Sequence, residues 1–370
     1  MLEFFWWGSV FLLALPVMGA LLILGPKVLP EYKDPDAGRL DLISAAMSVV
    51  AVLAAIFGVK LIAQDGFSVL AIGALALGVV VGVLWVRRQR RLKDPMIDVD
   101  LFRIRSFNDA LAINFTSIFV MVGYFLYIAQ YMQLVLGLSP FEAGLWSLPQ
   151  ALGFIIGSQV APRIVQRIRP AYLIGGGLAI AAAGLALLTQ VGTTGGLTGI
   201  VIGSVIISIG LAPVFGLTTE MIVGSAPPER AGAASGISET GSELGGALGI
   251  AVLGSVGVAI YRGQLERDLP ADVPAEAAAA ARDALGSAVA VAAELPAEIG
   301  QIVLEAARQA FVTGMQITAG LAAVAAFALA MLTVAALRSH RLPPNEPVEE
   351  EVQPPPSKEP ARGHEQLAAG

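Results

Sequence analysis

The sequence predicts an all-α polytopic membrane protein with about nine transmembrane helices. Of its 370 residues, 56% are hydrophobic and 14% are charged, whereas about 25% of the residues in a soluble globular domain are charged. The apolar residues form nine stretches of about 20 residues, the length that a helix needs to cross a bilayer. Basic residues occupy alternate connections between these stretches, as expected when successive helices cross in opposite directions.

In chain order, the predicted spans are residues 5–24, 42–63, 67–86, 107–131, 140–160, 171–190, 197–222, 234–260 and 311–337. The connections rich in Lys and Arg alternate with three that contain neither, at 64–66, 132–139 and 191–196. Because basic loops stay in the cytoplasm, we expect a multi-pass protein of the plasma (cell) membrane, with its C-terminus in the cytoplasm and Met1 outside.

Two polar segments are not predicted to span. Residues 94–106 place Ile97, Leu101 and Ile104 on one helical face, which is typical of a short helix at the membrane surface; a plain cytoplasmic loop is the alternative. Residues 341–370 combine seven prolines with several glutamates. This composition predicts a disordered cytoplasmic tail.

The segment 262–310 is rich in Ala, Asp and Glu and predicts a long extracytoplasmic loop. Its Ala-rich runs at 274–290 and 297–310 predict two helices that are broken at Pro296. A tenth span at 284–303 is not expected, because acids and a proline interrupt its middle and it would disturb the alternation of charge.

Glu239 and Glu243 lie inside a predicted span and are the strongest candidates for a functional site. An ionised acid near the centre of a bilayer costs about 2.5–3.5 kcal/mol. Four residues apart, the two share a helical face and titrate as a coupled pair, so they can hold a proton or a cation and exchange one for the other. In the alternative reading, Glu239 lies at the cytoplasmic interface and only Glu243 is deep.

Glycines recur along the same span at a spacing of four residues. Gly232 and Gly236 form one pair, and Gly241, Gly245 and Gly249 form a series. Small residues at this spacing let helices approach closely in a membrane. The span is therefore expected to pack inside a bundle, with its acids facing a polar path.

Other polar side chains are candidates for lining a cavity or forming a gate. Asn114 precedes an aromatic stripe that includes Tyr124 and Tyr127, and aromatic faces bind lipophilic cations; an aromatic belt at the membrane interface is the alternative. Gln150 in the next span is expected to line the same cavity. Glu220 lies at the end of a later predicted span and is a candidate for a gate or a structural ion pair.

Glu142 is interpreted as a helix-capping residue. Ser139, Pro140 and Glu142 occupy the N-cap, N1 and N3 positions of the next predicted span. This order is the signature of a capping box.

Several classes of protein are excluded by what the sequence lacks. It contains no cysteine, and both histidines lie outside the predicted spans, so no cofactor, metal site or enzyme activity is predicted. It contains no phosphate-binding loop motif, which favours an ion gradient as the energy source. The basic residues gather in short loops between spans, so nucleic acid is not an expected partner.

Three stretches resemble the major facilitator superfamily, in particular its fourteen-helix drug–proton antiporters of the quaternary-ammonium and multidrug efflux type. They are WWGSVFLLALPVMGALLILGPKVLPEYKDPDAGRLD at 6–41, QYMQLVLGLSPFEAGLWSLP at 130–149, and PPERAGAASGISETGSELGGALGIAVLG at 227–254.

The resemblance implies a division of the chain into parts. Residues 1–25 would be the last helix of an incomplete N-terminal half, and 26–106 two linker helices with a basic loop. Residues 107–340 would be a complete C-terminal six-helix half that includes the outer loop. The first five helices of the family are then expected to lie outside this chain.

The resemblance also implies roles for individual residues. The acids of the family's penultimate helix fall on Glu239 and Glu243, where they contribute to cation recognition or proton coupling. A basic cytoplasmic loop motif falls on Arg163, Arg167 and Arg169, although its acidic member is absent here.

Two hypotheses of function follow. In the first, the chain is an N-terminally truncated multidrug efflux transporter that exchanges protons for small lipophilic cations within membrane lipid. In the second, it is a non-transporting membrane subunit that is inert or needs a partner to supply the missing half.

Overall fold

The computed structural model describes residues 8–12, 14–28, 41–92, 95–97, 99–227, 230–270 and 273–337. After a helical turn at Ser9–Leu12, the helices are α1 (Ala14–Val28), α2 (Leu42–Asp65), α3 (Val69–Gln89), α4 (Arg105–Gln130), α5 (Pro140–Val165), α6 (Pro170–Leu188), α7 (Leu197–Gly224), α8 (Ala231–Gly249), α9 (Ser255–Asp268), α10 (Ala275–Asp283), α11 (Leu285–Glu294) and α12 (Ala297–Leu337). A π-helical turn, Tyr131–Val135, extends α4, and a second, Ile250–Gly254, joins α8 to α9. No strand occurs in these residues.

Seven helical segments within the described residues are long and apolar enough to cross a membrane. They are α2, α3, α4 with its π-helical turn, α6, α7, the continuous rod from α8 to α9, and α12. This confirms the predicted all-helical membrane protein. Helix α5, with 26 residues, and the shorter α1 are not among these seven, so the count of nine spans stays a prediction.

Glycines set the closest helix contacts in the structure. A Cβ added to Gly58 of α2 would lie 2.7 Å from the Leu75 nitrogen, and one added to Gly78 of α3 would lie 2.6 Å from the Ala55 nitrogen. Gly184 of α6 and Gly203 of α7 approach each other's helices in the same reciprocal way. Interhelical packing thus depends on small residues, as is usual in lipid.

The bundle core is formed by α4, α6, α7, the α8–α9 rod and α12, which pack directly on one another. Helix α5 packs on α7, and the α2–α3 pair joins the rest mainly where α2 meets the π-helical turn and α9. Helix α1 buries none of its described side chains. The division into an N-terminal remnant, a linker pair and a six-helix half stays a prediction.

Two predicted segments differ from the structure. Within the described part of 94–106, the one separate helix is the 3₁₀ helix Val99–Arg103, with Leu101 buried, and α4 begins at Arg105. The run 274–290 is two helices, α10 and α11, which meet at Ala284, where the backbone is extended. A 41-residue α12 begins directly after Pro296, so the break at Pro296 is confirmed, but the predicted loop helix at 297–310 is the start of the last span.

The predicted capping box is confirmed at the start of α5. The Ser139 hydroxyl accepts a hydrogen bond from the Glu142 backbone N–H at 3.2 Å, and the Ser139 backbone N–H donates to the Glu142 carboxylate at 2.9 Å.

The tail at 341–370 lies outside the described residues.

A polar clasp closes one end of the α2–α3 pair. Asp41 caps α2 and pairs with Arg88 of α3, with an Nη2–Oδ2 distance of 2.8 Å. The Ser44 hydroxyl donates to the same carboxylate at 2.7 Å and accepts from Gln89 at 2.7 Å. The Ser44 hydroxyl and the Arg88 guanidinium lower the pKa of the Asp41 carboxyl from 3.8 to about 2.

This clasp is expected to hold at mildly acidic pH and to fail in Asp41→Asn. A carboxyl with a lowered folded-state pKa stabilises the fold above its unfolded pKa, and this contribution is lost as pH falls from 3.8 through about 2. Hydrogen exchange at Ile43 and Ser44, corrected for intrinsic rates, should therefore be equal at pH 7 and pH 5. It should be faster in Asp41→Asn and unchanged in Glu266→Gln, an exposed acid on α9. Unchanged exchange in Asp41→Asn would contradict the clasp.

Candidate functional site

Helix α8 has two contrasting faces. On one face, Gly245 and Gly249 let α8 lie directly against the backbone of α4; a Cβ on Gly245 would lie 2.7 Å from the Phe115 carbonyl oxygen. Around Gly232 and Gly236, on the other side of the helix, nothing lies within 4 Å of an added Cβ. Only part of the predicted glycine series therefore packs against a neighbouring helix.

Glu239 and Glu243 lie on the exposed face of α8. The exposed residues around them are small or polar, namely Gly232, Ser235, Gly236 and Thr240. Among the described residues, neither carboxylate has an ion pair or a hydrogen bond. The two acids thus form a polar surface that is open in this chain.

Behind this surface, a buried hydrogen-bond network joins three helices. The Asn114 side chain on α4 is 2% exposed and donates to the Thr218 hydroxyl on α7 at 3.0 Å. The Ser242 hydroxyl on α8 donates to the Asn114 carbonyl oxygen at 3.0 Å. Asn114 therefore fixes α8, next to Glu243, relative to α7, which carries Glu220.

Replacing Asn114 with Leu is expected to destabilise the bundle. The change removes both bonds to Asn114, each of which contributes about 0.5–1.5 kcal/mol, although Thr218 and Ser242 each keep a bond to a backbone carbonyl of their own helix. The melting temperature in detergent should fall for Asn114→Leu, while Asn108→Leu, which loses an exposed hydrogen bond at the start of α4, should change it less. Equal melting temperatures would show that the network contributes nothing.

The predicted aromatic stripe lies inside the bundle. Tyr124 and Tyr131 are 2% and 0% exposed, and the Tyr131 hydroxyl donates to the Gly192 carbonyl at 2.6 Å. The Tyr127 hydroxyl donates to the Leu253 carbonyl in the second π-helical turn at 3.1 Å. The hydroxyls of Tyr124 and Ser204 lie 3.5 Å apart. Substrate recognition by these rings stays a prediction.

The remaining predicted site residues are spread over the surface. Glu220 is exposed near the end of α7, and Gln150 is half-buried on α5. Arg163, Arg167 and Arg169 are exposed around the turn from α5 to α6. The structure brings Asn114, rather than these residues, next to the α8 acids.

Sequence reasoning missed the partners of Asn114 and the two π-helical turns. Thr218 and Ser242 lie 104 and 128 positions from Asn114, so no local pattern connects them. One signal was present, because Ser238 and Ser242 repeat at a helical spacing beside the acids. A π-helical turn has no comparable signature in one sequence, although such turns are frequent at functional sites.

Helices of membrane-spanning length that pack closely through glycines define an integral membrane protein. The comparison with known proteins gives its family. The sequence profile of the Major Facilitator Superfamily matches residues 37–250, and the chain belongs to that superfamily.

Among its relatives is the multidrug efflux pump LfrA of Mycolicibacterium smegmatis, 38% identical over 338 residues, 91% of this chain and 67% of that protein. The methyl viologen resistance protein SmvA of Salmonella typhimurium is 31% identical, and the match covers 84% of this chain and 63% of that protein. The tetracenomycin C resistance and export protein of Streptomyces glaucescens is 29% identical, and the match covers 92% of this chain and 65% of that protein. The chain thus spans about two thirds of the length of these relatives.

The fold is also similar to that of solved structures. A bacterial homologue of the human lysosomal transporter Spinster, in an inward-facing and unoccupied conformation, superposes with a TM-score of 0.51. It is 18% identical in sequence, and the match covers 75% of this chain and 60% of that chain. The likeness supports the superfamily fold.

Proposed function

We propose that this chain acts in proton-coupled efflux of lipophilic, quaternary-ammonium-type cations across the cell membrane. Glu239 and Glu243 are the exchange site in this proposal. The observation that carries it is their position, one helical turn apart, on an exposed face of α8 built from glycine, serine and threonine. Family membership and relatives named for multidrug efflux and methyl viologen resistance support it.

The chemistry of this face fits exchange better than a purely structural role. Facing hydrocarbon, each ionised acid would cost about 2.5–3.5 kcal/mol, and neither has a partner among the described residues to offset that cost. Two acids on one face repel each other when both are ionised. A lipophilic cation relieves that repulsion and displaces the proton.

The open face also requires a second wall. A transport cavity must exclude lipid from the acids, but the face of α8 that carries them is exposed among the described residues. We expect further helices to cover it, either from a longer reading frame or from a partner subunit. Asn114 holds the present wall rigid, as a site of fixed geometry needs.

Efflux measurements separate these alternatives. Cells that express this chain alone, and cells that express the coding sequence extended upstream in frame as far as the genome allows, are loaded with ethidium and energised with a proton gradient. We expect efflux from the extended form, abolished by a protonophore, and little from the chain alone. Efflux by the chain alone would contradict the need for a second wall, and no efflux of any cation by the extended form would contradict the proposed function.

A further inference from the structure

A cavity of about 360 Å³ lies between helix α2 and the bundle. Its walls come from α2, α4, the α8–α9 rod, the α10–α11 junction and α12. This volume lies within the range of ligand pockets, about 300–1,000 Å³. Neither Glu239 nor Glu243 lines it, so it is separate from the proposed exchange site.

The walls of this cavity are suited to a hydrocarbon chain. Tyr127, Tyr261 and Phe311 line it, and the ring centroids of Tyr127 and Phe311 are 5.8 Å apart. Both tyrosine hydroxyls already donate to backbone carbonyls, Tyr127 to Leu253 and Tyr261 to Ala281 at 2.7 Å. The rings therefore present their apolar surfaces to the cavity.

The charge at the rim of the cavity is positive. Lys60 and Asp283 both line it, but Asp283 pairs with Arg262 at 3.2 Å. Within the described part of the chain, no carboxylate lies within 4 Å of the Lys60 ammonium. Lys60 lies two residues from the end of the segment Leu42–Ile62, where the ammonium of a lysine reaches the membrane interface and its phospholipid head groups.

The cavity opens to the side of the bundle rather than to its centre. Lys60, Leu126 and Ile250 line it and are themselves exposed. On α2, the nearby side chains of Leu53 and Phe57 are exposed and apolar, 62% and 46%, which is the surface expected to face lipid. A molecule of the bilayer can therefore enter without crossing water.

We propose that this cavity binds an anionic phospholipid of the surrounding bilayer. One acyl chain lies against Tyr127, Tyr261 and Phe311, and the phosphate pairs with the Lys60 ammonium. The acyl chain also contacts the second π-helical turn, since Ile250, Ala251 and Gly254 line the cavity. The bound lipid thus lies beside the point where α8, which carries the exchange site, becomes α9.

Native mass spectrometry of the purified full chain tests the binding. The detergent-solubilised protein is titrated separately with phosphatidylglycerol and with phosphatidylcholine of identical chains, using wild type, Lys60→Gln and Lys60→Arg. Lys27→Gln, at the exposed end of α1, is the matched control. We expect Lys60→Gln to weaken phosphatidylglycerol binding about tenfold, equal to about 1.4 kcal/mol, and to leave phosphatidylcholine binding unchanged. Lys60→Arg and Lys27→Gln should bind both lipids as the wild type does.

Location and source of the ligand are tested separately. A phosphatidylglycerol with a photoreactive diazirine on one acyl chain should label peptides that contain Tyr127 or Phe311, and Lys60→Gln should reduce that labelling. Labelling confined to other helices, or equal binding of phosphatidylglycerol by wild type and Lys60→Gln, would overturn the proposal. Displacement of the phospholipid by equimolar oleate would also overturn it, because the ligand would then be a free lipophilic acid. None of these readouts depends on transport.

Discussion

Replacing Glu243 with Gln in the upstream-extended form, which we expect to be competent for transport, should abolish proton-driven efflux of lipophilic cations. The amide has nearly the same shape as the protonated acid, but it cannot release a proton or carry a negative charge. The site then lacks the negative charge that attracts the cation, and it lacks the carboxyl group that takes up and releases the proton. Ethidium efflux from energised cells measures the effect.

The matched control is Glu276→Gln. Glu276 is an exposed acid in the first turn of α10, outside the bundle, so its loss should leave efflux unchanged. Glu239→Gln should reduce efflux and change which cations are transported, because Glu243 remains on the same face. Unchanged transport of every cation tested with Glu243→Gln would remove this residue from the mechanism.

Replacing Gly249 with Ala is expected to have the largest effect on the fold. The new Cβ would collide with the Phe119 carbonyl oxygen on α4, which is backbone and cannot move without shifting the helix. Overpacking of this kind costs about 1–3 kcal/mol. It would also push α8 away from α4 and strain the bond between Ser242 and Asn114. The melting temperature in detergent and the efflux rate should both fall.

Gly236→Ala is the matched control on the same helix. No atom lies within 4 Å of a Cβ added there, and alanine favours a helix over glycine by about 0.8–1 kcal/mol. Gly236→Ala should therefore keep or raise the melting temperature, whereas Gly249→Ala should lower it. Equal melting temperatures for the two variants would contradict the close approach of α8 to α4.

Features coded by neighbouring residues could be predicted from the sequence. The helices follow from long apolar runs, and the cap of α5 follows from Ser139 and Glu142, three positions apart. The start of α12 at Ala297 was not predicted, for a physical reason. Residues 297–310 are more polar than the rest of α12 but contain no proline, so the helix runs through them without a break.

Features that depend on distant partners could not be predicted. Gly236 and Gly249 look alike in sequence, yet only Gly249 meets a neighbouring helix. The Tyr127 hydroxyl bonds a carbonyl 126 positions away, in a turn whose π-helical geometry has no sequence signature. Lys60 stands in the sequence as a single basic residue, and its importance emerges when α2 packs beside α9 and Phe311.

Proton release on cation binding tests the exchange site most directly. The purified transport-competent form, in weakly buffered detergent solution with a pH indicator, is mixed with tetraphenylphosphonium while binding is followed in parallel. Protons should be released as the cation binds, and the double variant Glu239→Gln, Glu243→Gln should neither release them nor bind the cation as tightly. Cation binding without proton release in the wild type, or equal binding by the double variant, would contradict it.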